Sequence, residues 1–176
     1  MKNKVFILLG GNVGDVQDTF KKCIDKINLQ VGQCVNMSEV YISEPWGFKS
    51  ENLFYNQALF VETTLNPSEL LKHLLFLEKL FGRERDKEKK GFSSRKLDID
   101  ILFFNDLILD SEDLSIPHSF LHKRRFALRP MLDIAPVLVH PVYNKTIMQL
   151  FTDCKDNSYV NSVKDHNPEI AIPVRL

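Results

Sequence analysis

The sequence has no excess of charge of either sign. Its 176 residues include 23 lysines and arginines and 23 aspartates and glutamates, so the formal net charge is zero. A neutral chain has no general attraction to nucleic acid or to an anionic membrane, and any phosphate site must be local. We therefore expect neither a nucleic-acid partner nor a membrane partner.

Cysteine and long apolar runs are also scarce. The three cysteines, Cys23, Cys34 and Cys154, are odd in number and lack metal-type spacing, which predicts free thiols in a reducing compartment. The apolar run over residues 5–9 is too short for a signal peptide or a membrane span. We expect a cytoplasmic protein, and a monomer.

Length and composition suit one globular domain. Hydrophobic residues make up 44% of the chain and charged residues 26%, which is typical of a soluble protein with a substantial core. The chain contains no repeats or low-complexity tracts. We place the folded domain at residues 1–154, followed by a loosely packed tail at 155–176 that packs on it or trails from it.

Apolar patterns predict the strands, and caps predict the first two helices. The expected strands cover residues 5–9, 35–42, 54–64 and 97–104, with a short return strand at 107–109. Asp15 is expected to cap the first helix. Asn66 and Glu69 have the spacing of a capping box that starts the second helix, and Gly82 is expected to end it.

The later part of the chain favours helices. Pro130 is expected to break one helical segment, leaving a single turn over residues 131–135, and residues 146–151 form the last helix. The element order predicts an α+β protein of the ferredoxin-like kind, with an antiparallel sheet covered on one face by helices.

A glycine-rich stretch follows the first strand. Gly10, Gly11 and Gly14 lack both the Lys-Ser/Thr of a P-loop and the spacing of a dinucleotide fingerprint. The interpretation we favour is that they serve backbone angles forbidden to other residues. Cradling of phosphate is the alternative.

The strand over residues 97–104 carries two aspartates among apolar residues. Because successive strand side chains point to opposite faces, Asp98 and Asp100 share a face, with their Cα atoms about 7 Å apart. Two like charges side by side in a buried strand are costly unless something neutralises them. Two Mg²⁺ ions, bound also by substrate phosphates, would do so. A polar sheet face wetted by solvent is the alternative.

A basic segment leads directly into this strand. Residues 83–96 contain seven basic and three acidic residues, a net charge of +4 in a neutral protein. Guanidinium groups there could bind phosphate oxygens bidentately, and a long polar loop is typical of a segment that closes over a ligand. A solvated loop of mixed charge is the simpler alternative.

Three further features have two interpretations each. Trp46 either covers the core or walls a pocket. Asn56, among apolar neighbours, needs partners for its amide, which a planar heterocycle or backbone groups would supply. His118 and His122 are four residues apart, but no Glu or Cys accompanies them, so zinc is disfavoured.

Five short motifs follow one another in a fixed order along the chain. They are Ser43-x-Pro45-x-Gly47, Phe54-x-Asn56-x-Ala58, Glu78-x-x-x-Gly82-Arg83-x-Arg85, Arg95-x-x-Asp98-Ile99-Asp100-Ile101-Leu102, and Pro117-His118-x-x-Leu121-x-x-Arg124-Arg125-Phe126-x-Leu128-x-Pro130. Together they resemble the 6-hydroxymethyl-7,8-dihydropterin pyrophosphokinase family over residues 10–136. The departures include Gly10-Gly11-Asn12 for the usual Gly-Ser-Asn, and Leu75 in place of a glutamine near the nucleotide.

The resemblance implies a reaction, ATP as the co-substrate and two Mg²⁺ ions as cofactors. A pyrophosphoryl group would pass from ATP, the co-substrate, to the hydroxymethyl group of the reduced pterin, releasing AMP in folate biosynthesis. Asp98 and Asp100 would bind two Mg²⁺ ions, and Asp100 is a candidate proton acceptor. Arg83 and Arg95 would close over the phosphates.

The resemblance also implies binding roles for other residues. On the ATP side these are Arg85, His118 and Arg124, with Glu78 and Ile101 at motif positions near the nucleotide. Phe54 and Phe126 would sandwich the pterin ring. Asn56 and the backbone of Ser43, Pro45 and Trp46 would read its edge. The resemblance assigns no aromatic residue to the closing loop; Phe92 lies in this segment without an implied role.

Two other classes are compatible with aspartates on this type of sheet. A palm-type two-metal nucleotidyl transferase would need a nucleic-acid groove, which the balanced charge outside residues 83–96 disfavours. An RNA-binding module on the same fold would need exposed sheet aromatics in the Lys/Arg-Gly-Phe/Tyr arrangement, which the sequence lacks.

Overall fold

Strand β1 (Asn3–Gly11) runs through the middle of a sheet, with β4 (Phe54–Thr63) on one side and β5 (Asp98–Phe104) on the other. The structure is a computed structural model, and it describes residues 1–48, 50–83 and 94–166. The remaining elements of the described ranges are β2 (Gln33–Met37), β3 (Tyr41–Ser43), β6 (Leu109–Asp110), β7 (Ser115–Ile116), β8 (Val139–His140), β9 (Lys145–Thr146), β10 (Val160–Ser162), α1 (Val16–Gln30), α2 (Pro67–Leu80), α3 (Arg125–Ile134), α4 (Ile147–Asp153) and a 3₁₀ turn at Leu121–Lys123.

The sheet order confirms the predicted fold class. The strands lie in the order β10-β3-β4-β1-β5, with β2 also pairing with β4, and each of these described pairs is antiparallel. With β2 and β3 counted as one interrupted strand, the elements from β1 to β5 run strand, helix, strand, strand, helix, strand, which is the ferredoxin-like arrangement. The chain is therefore an α+β protein.

Helices cover both faces of this sheet, not one. Helices α1 and α2 pack on the face that carries Ile7 and Val61. Helices α3 and α4 pack on the opposite face, against Leu8 and Leu102. The prediction of a single covered face was wrong. Helices α3 and α4 are short, but each carries an apolar stripe, and residues such as Leu128 and Leu150 form a second hydrophobic core on this face.

The helix caps follow the prediction. The Asp15 side chain accepts a hydrogen bond from the Asp18 N–H at the start of α1. Asn66 and Glu69 form the complete capping box of α2, and Gly82 follows the helix at φ +85°. These ends are local, which is why the sequence predicts them well.

Three element boundaries differ from the prediction. Strand 35–42 is interrupted at Ser38, because its hydroxyl accepts the Ala58 N–H in place of a strand carbonyl. The return strand expected at 107–109 begins only at Leu109 and pairs with β7, not with β5. Pro130 lies inside the continuous helix α3, whose packing through Leu128 and Met131 outweighs the missing hydrogen bond.

Part of the expected loose tail belongs to the sheet. Residues 160–162 form β10, which pairs with β3 through Val160 and Ser43. The expectation of loose packing is wrong for this part, because the strand completes a sheet edge. The domain boundary at residue 154 remains a prediction.

The glycines serve two purposes. Gly14 has φ +75°, as expected for a turn. Gly11 instead lies within β1, and a Cβ there would stand 2.5 Å from the Lys96 carbonyl oxygen. Absence of a side chain at Gly11 therefore lets the segment before β5 pack against β1.

The three cysteines are free thiols, as predicted. Cys23 and Cys154 are buried, and Cys34 is partly exposed. Within the described ranges, none of the helices combines the length and the apolar character of a transmembrane segment.

Candidate active site

A cavity of about 300 Å³ opens where the ends of several strands meet the start of α3. The last residues of β1 and β3 and the first residues of β4 and β5 contribute to it. The described residues that line it are Leu8, Gly10, Ser43, Glu44, Trp46, Phe48, Phe54, Asn56, Arg83, Arg95, Asp98, Asp100, His118, Arg124 and Phe126.

Asp98 and Asp100 form the floor of the cavity on β5. They pair with Gly10 and Leu8 of β1, so they share a face of the sheet as the alternation predicts. A Cβ at Gly10 would lie 3.7 Å from the Asp98 Cβ. Asp98 therefore lies beside a glycine of β1, whereas Asp100 lies beside Leu8.

Two arginines neutralise Asp98. The Arg95 Nη2 lies 3.0 Å from the Asp98 Oδ2, and the Arg83 guanidinium contacts the other Asp98 oxygen. Burial alone would raise the pKa of Asp98, but the charges of Arg95 and Arg83 outweigh it and lower that pKa. Asp98 is therefore ionised in the folded protein at neutral pH.

Asp100 has weaker support. The Arg124 Nη1 lies 3.5 Å and the His118 Nε2 3.8 Å from its Oδ2. Burial, followed by the charge of Asp98, raises the pKa of Asp100 to about 7. Burial and the charge of Arg124 lower the pKa of His118 to about 4, so His118 brings no positive charge. A cation bound beside Asp100 would favour its ionised form.

Glu78 lies behind the cavity wall and supports it. Its side chain is buried on α2, with 2% of the residue exposed. The Glu78 carboxylate contacts the Arg83 guanidinium and accepts the Ile99 N–H at 2.9 Å. It therefore connects the end of α2 to the start of β5 and to the arginine on Asp98.

Aromatic rings form the opposite wall. Trp46 meets Phe126 edge to face at 6.4 Å, and Phe48 meets Phe54 at 5.7 Å. The Arg124 guanidinium carbon lies 4.8 Å from the centroid of the Trp46 ring, a cation–π contact. The wall offers flat apolar surfaces next to fixed positive charge.

A polar edge lies between the aromatic rings and the carboxylates. Asn56 is 2% exposed, and its Nδ2 donates to the Ser43 Oγ at 3.0 Å. Ser43 is buried at the end of β3. The Asn56 amide therefore has a protein partner and still lines the cavity.

The structure gathers most of the predicted site residues around this cavity. The predicted residues among its lining are Ser43, Trp46, Phe54, Asn56, Arg83, Arg95, Asp98, Asp100, His118, Arg124 and Phe126. Pro45 lies between two lining residues, and Glu78 contacts the cavity through Arg83. The Ile101 side chain is buried in the core on the opposite face of the sheet. Arg85 and Phe92 lie outside the described residues.

Sequence reasoning missed other residues of the lining. Glu44 lies inside the motif that runs from Ser43 to Gly47, and Phe48 directly follows that motif. Leu8 and Gly10 reach the cavity from β1, and only their pairing with β5 places them there. The sequence around Leu8 and Gly10 contains no signal that these residues line a cavity.

The two carboxylates have the oxygen ligands that Mg²⁺ prefers, and a Mg²⁺ site commonly uses one or two carboxylates with the substrate phosphates supplying more. In the described part of the chain, no three His, Cys, Asp or Glu side chains form a metal-binding group. The donor set fits Mg²⁺ that arrives with a phosphate ligand.

Carboxylates that can hold Mg²⁺ and positively charged side chains recur in enzymes of phosphoryl transfer. The aromatic slot beside them suits a small planar molecule. A sequence model described as 7,8-dihydro-6-hydroxymethylpterin-pyrophosphokinase matches residues 6–136. The chain belongs to this pyrophosphokinase family. The resemblance identified from the five motifs is thereby confirmed, and neither the nucleotidyl transferase nor the RNA-binding hypothesis gains support.

Individual relatives agree with this assignment. The chain is 38% identical over 145 residues to the 2-amino-4-hydroxy-6-hydroxymethyldihydropteridine pyrophosphokinase of Aquifex aeolicus (strain VF5), covering 82% of this chain and 88% of that relative. It is 35% identical over 169 residues to the folic acid synthesis protein fol1 of Pneumocystis carinii, covering 96% of this chain but 21% of that longer relative.

A solved structure shows the same fold. The Plasmodium falciparum HPPK-DHPS crystal structure with pteroate superposes with a TM-score of 0.72 at 17% identity, over 87% of this chain and 44% of that one. At this identity the likeness establishes the fold alone.

Proposed function

We propose that the cavity between the aromatic wall and the Asp98–Asp100 pair is where this chain carries out the reaction of its family. That reaction transfers pyrophosphate from ATP to the hydroxymethyl group of 6-hydroxymethyl-7,8-dihydropterin, in folate biosynthesis. The observation that carries the proposal is the placement of two carboxylates, several guanidinium groups and flat aromatic rings around one cavity. A charged phosphate chain and a planar heterocycle need these two kinds of surface.

Asp98 and Asp100 are the proposed ligands of two Mg²⁺ ions. Bound there, the ions would neutralise phosphate charge and make the pterin hydroxyl more acidic. The unequal surroundings of the two carboxylates support this role, because Asp100 is partly buried beside a like charge with only Arg124 as a charged partner at 3.5 Å among the contacts of the described residues.

Arg83 and Arg95 are the proposed phosphate-binding groups. Both guanidinium groups lie directly over Asp98, at the border between the carboxylates and the cavity. The buried Nε of Arg95 has no hydrogen-bond partner within the described residues. A phosphate oxygen would satisfy this donor, and the planar fork of arginine suits phosphate geometry.

The pterin ring is proposed to lie between Phe54 and Phe126, with Trp46 beside them. Phe126 contacts Trp46 edge to face, and Phe54 contacts Phe48, so each ring is held by a neighbour. The buried Asn56 would read the donor–acceptor edge of the heterocycle.

His118 and Arg124 are proposed to contact ATP. The Arg124 Nη1 lies 3.3 Å from the His118 Nε2, so the two side chains form one unit near Asp100. Arg85 and Ile101 keep the nucleotide roles implied by the motifs as predictions. For Glu78 the contacts support a role behind Arg83.

The bond changes of the reaction define what these residues must do. The pterin hydroxyl oxygen forms a bond to the β-phosphorus of ATP and loses its proton, while the bond from that phosphorus to the α–β bridging oxygen breaks and AMP leaves. Such transfer depends on positioning and charge neutralisation. A carboxylate oxygen of Asp100 is the proposed proton acceptor.

The test is formation of AMP by the purified chain. AMP should appear with Mg²⁺, ATP and 6-hydroxymethyl-7,8-dihydropterin together, and not when the pterin or Mg²⁺ is omitted. Absence of AMP from well-folded protein would contradict the proposal. A titration calorimeter with a non-hydrolysable ATP analogue, with and without Mg²⁺, would test the metal requirement separately from turnover.

We also propose that the chain acts as a monomer in the cytoplasm. The three free thiols support a reducing compartment. Light scattering on the eluting peak of a sizing column would measure the oligomeric state directly.

A further inference from the structure

Asn12 lies directly after β1 and is buried, with 5% of its surface exposed. Its backbone N–H donates to the Arg95 carbonyl oxygen at 2.9 Å, and its Oδ1 accepts the Arg95 N–H at 2.8 Å. One residue therefore binds both the N–H and the carbonyl group of Arg95. This double contact fixes the backbone of Arg95 against the end of β1.

The other end of the Asn12 amide reaches two loops. Its Nδ2 lies 3.0 Å from the Ser94 Oγ and 3.4 Å from the Ser50 Oγ, and those two hydroxyl oxygens are 3.4 Å apart. Ser50 follows the loop that carries Trp46, on the aromatic side of the cavity. Asn12 thus connects that loop to the residue preceding Arg95.

The neighbouring backbone is shaped for the same contact. A Cβ at Gly11 would stand 2.5 Å from the Lys96 carbonyl oxygen, so the segment after Arg95 lies against the bare backbone of β1. Asn12 itself is not among the described residues that line the cavity. Any effect of Asn12 on the reaction must therefore pass through the groups it holds.

We infer that Asn12 is a positioning residue that fixes Arg95 for pyrophosphoryl transfer and links its placement to the loop on the aromatic side of the cavity. The inference rests on the proposed function of the cavity. Arg95 is the group through which it acts, since the guanidinium lies 3.0 Å from Asp98 and 5.7 Å from the centroid of the Phe54 ring.

A double-mutant cycle tests this inference. Asn12→Ala should lower kcat roughly 10- to 100-fold, because misplacing a catalytic group by about an ångström costs that much. In the Arg95→Ala background the same change should lower kcat by less than about two-fold, since the group that Asn12 places is gone. Asn36→Ala, which removes an exposed β2 side chain whose Oδ1 accepts the Met37 N–H of the same strand, is the matched control with unchanged kcat.

Two results would overturn the inference. One is an equal loss of kcat from Asn12→Ala in both backgrounds, which marks a merely structural role, and the other is no loss at all. If Asn12→Ala fails to fold, Ser94→Ala replaces it in the cycle, with a smaller loss expected and the same two overturning results. An unmodified chain that forms no AMP would instead overturn the proposed function and this inference together.

Discussion

Asp98 and Asp100 project from one face of strand β5 but lie in different surroundings. Asp98 contacts two arginine guanidinium groups, whereas Asp100 has the Arg124 Nη1 at 3.5 Å. Their pKa values consequently move in opposite directions, down for Asp98 and up to about 7 for Asp100. Carboxylates whose pKa values are pushed apart are typical of catalytic sites.

Replacing either carboxylate should therefore abolish most turnover. We expect Asp98→Ala and Asp100→Ala each to lower kcat by at least about 100-fold, the scale of losing a preorganised electrostatic contact in a transition state. The pterin affinity should stay close to that of the unmodified chain, because the aromatic wall is intact. Steady-state kinetics and calorimetry measure the two quantities.

The matched control for these variants is Asp106→Ala, which removes an exposed aspartate just beyond β5. It should have the kcat of the unmodified chain. A variant at Asp98 or Asp100 that retained full turnover would contradict the proposed metal site.

Phe126→Leu should weaken pterin binding and leave nucleotide binding unchanged. The substitution keeps apolar bulk but removes the ring that meets Trp46 at 6.4 Å. Loss of an aromatic contact of this kind should raise the Kd for the pterin about 2- to 12-fold. Calorimetry with pterin alone measures it, and an equal loss of affinity for the ATP analogue would show that Phe126 does not belong specifically to the pterin side.

Gly11→Ala and Gly10→Ala form a matched pair on one strand. The new Cβ at Gly11 would meet the Lys96 carbonyl oxygen at 2.5 Å, while at Gly10 the nearest atoms lie at 3.7 Å. Overpacking against backbone should lower the free energy of unfolding of the Gly11 variant by about 1–3 kcal/mol. The Gly10 variant should lose much less, and urea unfolding of both proteins measures the difference.

His140 should make the stability of the fold fall in acid. Burial lowers its pKa to about 4, and its Nδ1 accepts the Val142 N–H at 3.2 Å. The unfolded chain, with a histidine pKa of about 6.5, binds more protons between these values. The stability supplied by neutral His140 is therefore present above about pH 6.5 and lost as the pH falls towards about 4.

His140→Gln should accordingly flatten the dependence of unfolding free energy on pH in this window. His118, whose pKa is lowered to about 4, and Asp100, whose pKa is raised to about 7, change the stability in opposite directions in this window and remain in both proteins, so the difference between the two slopes belongs to His140. Urea unfolding at a series of pH values gives the two slopes. Identical slopes would show that His140 does not titrate as its burial implies.

The last described strand supports the loop that leads to Trp46. Val160 pairs with Ser43, and the Tyr159 N–H donates to the Glu44 carboxylate at 2.8 Å. A chain ending at Cys154 should therefore bind the pterin more weakly than one ending at His166, which keeps β10. Equal pterin affinities of the two truncated chains would contradict this support role.

The sequence predicts local features of the site better than distant ones. The shared face of Asp98 and Asp100 follows from strand alternation within three residues. Beyond Ile101 the alternation fails, because a bulge in the pairing with β1 places Leu102 and Phe103 in the same core cluster. The register of β5 depends on its pairing with β1, and the apolar pattern within β5 alone gives no information about that pairing.

Other features of the fold and the site were not predicted because they depend on contacts between residues that are distant in sequence. Asn12 follows two glycines at the end of a strand, but the residue it holds, Arg95, is 83 positions away. Ser38 interrupts a strand through its bond to Ala58 of β4. Phe48 joins the cavity only because Phe54 folds back against it.

The place of β10 in the sheet has a consequence for synthesis in the cell. Ribosomes make the chain from its amino end, so residues 160–162 emerge after the other described strands of this sheet, yet they brace the segment next to Ser43. A nascent polypeptide can bury much of the sheet while still tethered, but this edge of the pocket stays unbraced until β10 has left the ribosome. Substrate recognition is thereby delayed until that strand has been made.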